Sequence, residues 1–336
     1  MNTLKTILIT LLLTSTTVIC AQHGNVFLGD LAGANNTTGE RNTFLGYATG
    51  HFNTTGERNT FLGHATGYQN TTGKYNTFLG YATGYKNTIG SNNTFLGYYS
   101  GYQNTTGNYN TFLGYSTGHY NTTGGRNTFL GFGAGYQNTT GSYNAFSGFY
   151  AGRFNTTGNN NTFSGYATGH KNTTGKNNTY IGFQAGNTNS VGIGNVFLGY
   201  QAGYYEKGSN KLYISNTSSG TPLIYGNFET NRIGIGTTTP SYELEVNGTI
   251  RSKEVLVESG PWPDYVFAKD YVLPTLTEVE NHIKEKGHLQ NIPSAEEVSK
   301  NGIQLGKMNT KLLEKIEELT LYIIDQEKRI KALENK

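Results

Sequence analysis

Residues 42–58 read NTFLGYATGHFNTTGER, and nearly the same seventeen letters precede and follow them. The aromatic of the F-L-G word falls at Phe27, Phe44, Phe61, Phe78, Phe95, Phe112, Phe129, Phe146, Phe163, Tyr180 and Phe197, eleven copies without an insertion or deletion. An asparagine stands two residues before each, from Asn25 to Asn195, and glycines recur in the series Gly29 to Gly199 and Gly33 to Gly203. A second asparagine series, Asn36 to Asn189, and a glycine series, Gly39 to Gly192, fill every interval between copies. Each copy reads as two short extended pieces, N-T-F-L-G-Y and N-T-T-G, joined by glycine turns. One copy cannot bury its own apolar face, so copies must stack, roughly 4.8 Å apart, with their backbone groups paired to the coils above and below. The period therefore predicts a mainly β protein whose residues 22–205 form a parallel β-solenoid (β-roll) of about eleven 17-residue coils, a rod of roughly 50 Å. Identical residues then lie in ladders, and stacked asparagines hydrogen-bond along them without any catalytic purpose.

Phe44 and Leu45 are adjacent, and neighbouring side chains on a strand point to opposite faces. Two apolar ladders predict that one fills the coil while the other meets a partner chain. The competing arrangement is a local bend that tucks both inside. Ser147 and Ser164 interrupt the second ladder, and the small residues Ala32, Thr49, Thr66, Thr83, Ser100 and Thr117 suit a crowded inner corner. What varies between copies, such as His51, Phe52, Glu57 and Arg58, is left free to carry function.

The composition suits such a scaffold. Of 336 residues 46 are Gly and 25 Tyr, with only 14% charged, so an ordered but non-globular backbone is expected rather than a conventional core. A net charge of +3 selects no partner, and the scattered Lys and Arg, partly balanced by Asp30, Glu40 and Glu57, argue against nucleic acid. Residues 1–21, within MNTLKTILITLLLTSTTVICAQ, have the layout of a secretory signal peptide cleaved after Ala21. Cys20 suits lipidation less well, because Ile19 stands where a small residue is needed. The mature chain, beginning at Gln22, then lacks cysteine, and with it disulfides and thiol chemistry. It also lacks a stretch of the ~20 apolar residues needed for a transmembrane segment.

The Asn-initiated, glycine-punctuated coil with a small residue before its second glycine resembles the head repeats of trimeric autotransporter adhesins and of bacteriophage tail-fibre-like proteins. Its seventeen-residue period departs from the shorter coils common in those heads. The resemblance covers roughly Asn25 to Tyr205 and implies a trimeric β-roll. Residues 206–258 form a β-rich neck. Alternating apolar residues predict strands at Lys211–Ser215, Leu223–Tyr225 and Tyr242–Val246. RIGIGTTTPSYELEVNGTI resembles the short β-segment that precedes the C-terminal chaperone of many tail fibres and exported fibrous proteins. Its G-I-G is no dinucleotide loop, since no helix follows it.

From about Pro274 the pattern turns helical, with residues 259–306 as a helical connector and residues 307–336 as a C-terminal α-helical coiled coil. Thr275 with Glu278 and Ser294 with Glu297 are capping-box pairs, and Gly287 and Gly302 are stops. Leu312, Ile316, Leu319, Ile323, Gln326, Ile330 and Leu333 recur at steps of four and three, which is a coiled-coil seam. Isoleucine and leucine in these positions lean toward a dimer, whereas the resemblance to fibres implies a trimer. Packing on its own chain is the competing reading of this helix. The region is similar to the C-terminal segment of exported Bacteroidetes proteins, related in layout to the endosialidase-type intramolecular chaperone. That family releases its chaperone through a serine with a lysine partner. Its Ser-Asp and Arg-Leu-Lys cleavage word is missing here and Ser252-Lys253 is a loose echo, so the assembly role carries over and self-cleavage does not.

Acidic residues are nearly missing from the repeats, so paired carboxylates for glycoside hydrolysis and calcium turns are not expected. His51, His64, His119 and His170 lack acidic or cysteine neighbours and read as surface substitutions rather than metal ligands. No cofactor and no enzymatic activity are expected. The N-T-T words are glycosylation sequons that read as structural ladders. One ladder, His51, Tyr68, Tyr85, Tyr102, His119 and Tyr136, continued by His170, is the candidate ligand contact; its plainer reading is ring-on-ring packing that stiffens the rod.

These features predict an exported, homotrimeric fibrous protein at the cell surface or secreted, adhesive or displayed, whose C-terminal region drives assembly. Its expected partners are itself, as a homotrimer, and either glycans or a host or neighbouring-cell surface. Two alternatives share the scaffold: a tail-fibre-like glycan-binding protein, and an ice- or crystal-binding solenoid using threonines such as Thr54, Thr71 and Thr105.

Overall fold

The computed structural model describes residues 23–258, 260 and 262–335. The expected signal peptide, with Ile19, Cys20 and Ala21, lies outside the described residues. The chain divides into two compact units, one through Thr249 and one from Ile250.

The first unit is the predicted solenoid, closed by the neck. Fifteen strands form one sheet in sequence order. The first eleven, β1 (Val26–Leu28) to β11 (Val196–Leu198), come one from each coil and pair parallel without register shift, so that Phe44 faces Phe61 and Phe61 faces Phe78. The reason lies in the three-residue strand itself. Alternation turns Phe inward while Thr and Leu on either side turn outward. Phe44 through Phe197 are fully buried, and neighbouring rings of this inner ladder stack 4.6–4.9 Å apart. The Leu ladder does not tuck inside: Leu62 and Leu96 are each 41% exposed.

Two glycine series make this spacing possible. At Gly63, φ is +133° and an added Cβ would lie 1.9 Å from the Gly80 carbonyl oxygen, so only glycine lets the coils approach. At Gly50, φ is +56° and the Cβ would meet the Phe44 ring at 2.6 Å, which lets the chain cross directly over the inner ladder. The predicted small residues do occupy the inner corner. Thr49, Thr66, Thr83, Ser100 and Thr117 are fully buried, and Thr117 Oγ1 donates to the Gly131 carbonyl at 2.8 Å.

Polar ladders satisfy the backbone that the tight coil cannot pair with itself. In the first, Asn42 Oδ1 accepts the backbone N–H of Asn59 at 3.0 Å and Asn42 Nδ2 donates to the Gly56 carbonyl at 2.8 Å. In the second, Asn53 Nδ2 donates to Asn36 Oδ1 at 2.7 Å, a link repeated up to Asn172. It stops there. Asn189 turns its side chain toward Gly192 and Gly208, and Asn172 Oδ1 is left buried without a partner.

In the neck, β12 (Lys211–Ile214) continues the parallel stack, β13 (Ile224–Asn227) and β14 (Arg232–Ile235) reverse it, and β15 (Leu244–Val246) pairs parallel with β14. The strand at Arg232–Ile235 opens the segment whose resemblance implies β-structure, although it is not one of the three strands that alternation marks. Gly234 depresses its intrinsic strand tendency, and ladder pairing on both sides overrides that.

In the second unit a 3₁₀ turn, Pro263–Phe267, is followed by α1 (Leu276–Lys286), α2 (Ala295–Asn301) and α3 (Leu305–Glu334). Both capping boxes form, at Thr275 with Glu278 and at Ser294 with Glu297, and Gly287 ends α1 in the left-handed conformation. α3 begins two residues ahead of the expected residue 307. It is held to its own chain by a polar face. Tyr265 Oη donates to Glu314 at 2.6 Å, Tyr271 Oη donates to Glu318 at 2.6 Å, and Lys315 Nζ bridges both carboxylates.

Candidate functional site

The bend at each first glycine throws the next side chain outward. In ten successive coils that residue is an aromatic ring, from Tyr47 through His64, Tyr81 and Tyr98 to Tyr200. The rings stack 4.9–5.3 Å apart with their planes inclined by 3–26°, without a break. The nine Tyr and Phe among them are 40–50% exposed. Such a stripe offers ring faces and edges along the whole solenoid, suited to apolar contact with flat ligands such as sugars. Beside it, across the glycine, runs the leucine ladder, with Leu45 half-buried and Leu62, Leu79 and Leu96 exposed.

The ladder singled out from the sequence is a different one. His51, Tyr68, Tyr85, Tyr102, His119 and Tyr136 do stack, 4.9–5.2 Å apart, but they are half-buried. Phe52 packs edge-on against His51 and Tyr68, and Tyr120 against His119 and Tyr136. The plainer reading, rings that stiffen the coil, fits this geometry. Burial raises the Tyr85, Tyr102 and Tyr136 phenols and depresses the imidazoles of His119 and His170. His119 and His170 are thus partly enclosed rather than simple surface substitutions. Tyr47 closes the N-T-F-L-G-Y word, so the sequence places it at a strand end without fixing its direction. The signal of the outward stripe was present in the sequence: an aromatic directly after the first glycine in every coil but the first, where Asp30 stands.

The first threonine of each N-T-T word has its hydroxyl hydrogen committed. Thr54, Thr71 and Thr105 each donate at 3.0 Å to the backbone carbonyl of the equivalent threonine one coil on. The variable positions form scattered polar clusters. Lys74 pairs with Glu57 at 2.9 Å, Arg58 bonds Tyr75 and stacks over its ring, and Arg126 does the same with Tyr143 at 2.6 Å.

On α3, the predicted seam residues Leu312, Ile316, Leu319, Ile323, Ile330 and Leu333 are all exposed, at 46–69%. The helix does pack on its own chain, as the competing reading has it, but through its polar face rather than through these seam residues. Their N-terminal members instead line an apolar groove with Leu276, Val279 and Leu289. Among the described residues there is no group of three or more metal-ligating side chains, and no helix long and apolar enough to cross a membrane. Ser252 and Lys253 are both exposed in a segment without regular structure. No family model, curated protein or solved structure matches this chain.

Proposed function

We propose that this protein is an exported, non-enzymatic fibrous surface protein that assembles as a homotrimer and uses its solenoid for adhesion or display. The observation that carries the reading is the pair of outward ladders, leucine beside aromatic, which recurs along the solenoid with Ser147 and Ser164 interrupting the leucine ladder and Asp30 opening the aromatic one. In a solitary chain each exposed leucine costs hydration free energy, and burial against a partner recovers about 25 cal/mol per Å² of apolar surface. The leucine ladder is the surface for self-association, and the aromatic stripe is the surface left for ligand. The exposed seam of α3 supports the same assembly, as a parallel coiled coil that registers the chains. The resemblance to adhesin heads and tail fibres favours three chains over two.

Repetition then supplies function. Equivalent weak contacts on ten rings per chain combine into avid binding, provided the target is itself repetitive, as a glycan coat is. A tail-fibre-like glycan-binding protein is the nearest alternative and shares this surface. Ice or crystal binding through Thr54, Thr71 and Thr105 has less support, because their hydroxyls already donate within the coil. Sedimentation equilibrium of the secreted full-length chain tests the assembly: a trimer at micromolar concentration is expected, and a monomer there would overturn the reading.

A further inference from the structure

One coil departs from the repeat in a concerted way. Where the half-buried ladder has His or Tyr, residue 153 is Arg, and where most coils have a small residue in the left-handed conformation, residue 150 is Tyr, with φ +56°. Residue 133, one coil earlier, is Gly, and a Cβ there would lie 2.7 Å from the Tyr150 ring. The missing side chain at residue 133 is what makes room for the ring at residue 150. A bulky side chain held at positive φ costs about 1 kcal/mol or more, and such positions cluster where function demands them.

The Arg153 guanidinium lies over Tyr150 at 4.1 Å, with Phe154 at 5.3 Å and Tyr136 at 5.6 Å. His170 stands 4.9 Å from Phe154 and 6.1 Å from Tyr150. Arg153 Nε is buried without a hydrogen-bond partner, and the Arg153 side chain forms no ion pair among the described residues. Arg126, by contrast, donates to Tyr143. Five N–H donors fixed by aromatic faces and lacking an acceptor are a fork shaped for a carboxylate or a sulfate. Tyr150 also touches the outward stripe, 4.1 Å from Phe149, which is 40% exposed. A single ring therefore joins an exposed stacking platform to an unpaired cation. The wider field agrees, since from Arg58 to Tyr205 the chain carries seven Lys or Arg and no Asp or Glu.

We infer that Arg153, with Tyr150 and Phe149, forms a binding site for an acidic polysaccharide, whose sugar ring stacks on Phe149 while its carboxylate or sulfate engages the guanidinium. This rests on the surface-adhesion reading above and names its ligand class. The repeat supplies its own control, because the corner at Tyr99 has the same tyrosine placed 5.2 Å from Tyr102 instead of an arginine.

The test is binding of the full-length protein to polygalacturonate, dextran sulfate, neutral dextran and single-stranded oligothymidylate, for the wild type and three variants. R153Y and Y150A install residues that other coils already carry at the same positions, Tyr102 and Ala167, so both variants are expected to fold. K176Q removes an exposed charge outside the cluster. R153Y is expected to weaken binding to one or both acidic polysaccharides at least tenfold, Y150A to weaken it several-fold, and K176Q to change it less than twofold. The polymer with the larger loss identifies carboxylate or sulfate as the recognised group. Equal losses in R153Y and K176Q would mean diffuse attraction and overturn the site, as would unchanged binding in R153Y. Tighter binding to oligothymidylate than to either acidic polysaccharide would replace the ligand class. Binding to neutral dextran alone would leave the adhesive stripe standing and remove the acidic specificity, whereas a monomeric protein would fail the assembly reading and leave this site to be judged on its own affinities.

Discussion

Asn110 Oδ1 accepts the backbone N–H of Asn127 in the next coil at 2.9 Å, while Asn110 Nδ2 donates to the Gly124 carbonyl at 2.9 Å. One fully buried side chain thus satisfies two backbone groups that the coil geometry leaves unpaired. Asn110→Ala strands both, and each buried unsatisfied group costs about 1–3 kcal/mol. Urea unfolding should show a loss in at least that range, against a change within about 0.5 kcal/mol for Thr55→Ala at an exposed position.

The inner and outer ladders should respond differently to truncation. Phe112→Ala removes a ring stacked on both sides and is expected to cost about 3–5 kcal/mol. Leu96→Ser should cost under ~1 kcal/mol in an isolated chain, as its side chain is already part-solvated there. The combined Leu79→Ser, Leu96→Ser and Leu113→Ser variant should keep its circular dichroism yet sediment as a smaller species, if the leucine face joins chains. An unchanged assembly would remove that face from the interface.

Gly84→Ala probes the crossing over the inner ladder. Its Cβ would lie 2.5 Å from the Phe78 ring, so the ring must shift at a cost of about 1–3 kcal/mol, in addition to the penalty for alanine at φ +59°. Ala82, two residues earlier, already holds φ +49°, so conformation alone does not exclude alanine there. A melting temperature equal to wild type would show that the ring has room to move.

His119 and His170 link stability to pH. Burial disfavours their charged forms, so both titrate below the 6.5 of an unfolded chain. Between the depressed folded values and 6.5 the unfolded chain binds more protons, and stability therefore falls as pH drops through that window. Urea midpoints measured from pH 7.5 to 5 should decline in the wild type and decline less in the His119→Tyr, His170→Tyr variant. Parallel curves would place the sensitivity elsewhere.

In the helical unit, Tyr271→Phe deletes the 2.6 Å donor to Glu318, a largely buried carboxylate. Hydrogen bonds to charged groups contribute about 1.5–3 kcal/mol, so a thermal melt followed at 222 nm should shift down accordingly. Lys315 still pairs with that carboxylate at 2.8 Å and should keep the loss toward the lower end.

Much of this architecture was legible in the residues themselves. An uninterrupted seventeen-residue period admits only stacked, in-register coils, and the invariant Asn and Gly follow from backbone groups and close approaches that recur identically. The capping pairs Thr275–Glu278 and Ser294–Glu297 are local chemistry, and they form where the spacing places them. The strand at Arg232–Ile235 opens the segment whose resemblance implies β-structure, but alternation alone does not mark it, because Gly234 interrupts the pattern and pairing on both sides overrides that.

The candidate surface divides differently. Sequence alone determined that aromatic side chains would lie in ladders, since identical residues one period apart must stack. Which of those ladders faces outward was decided by the tertiary structure. The direction of a side chain beyond a glycine bend depends on φ and ψ that glycine leaves open, so the exposed run from Tyr47 to Tyr200 and the half-buried run from His51 to Tyr136 look alike in one dimension. The cluster at Arg153 depends on tertiary structure for the same reason: Gly133, Tyr150 and Arg153 belong to two successive coils, and only stacking those coils lays the ring over the glycine and beneath the guanidinium.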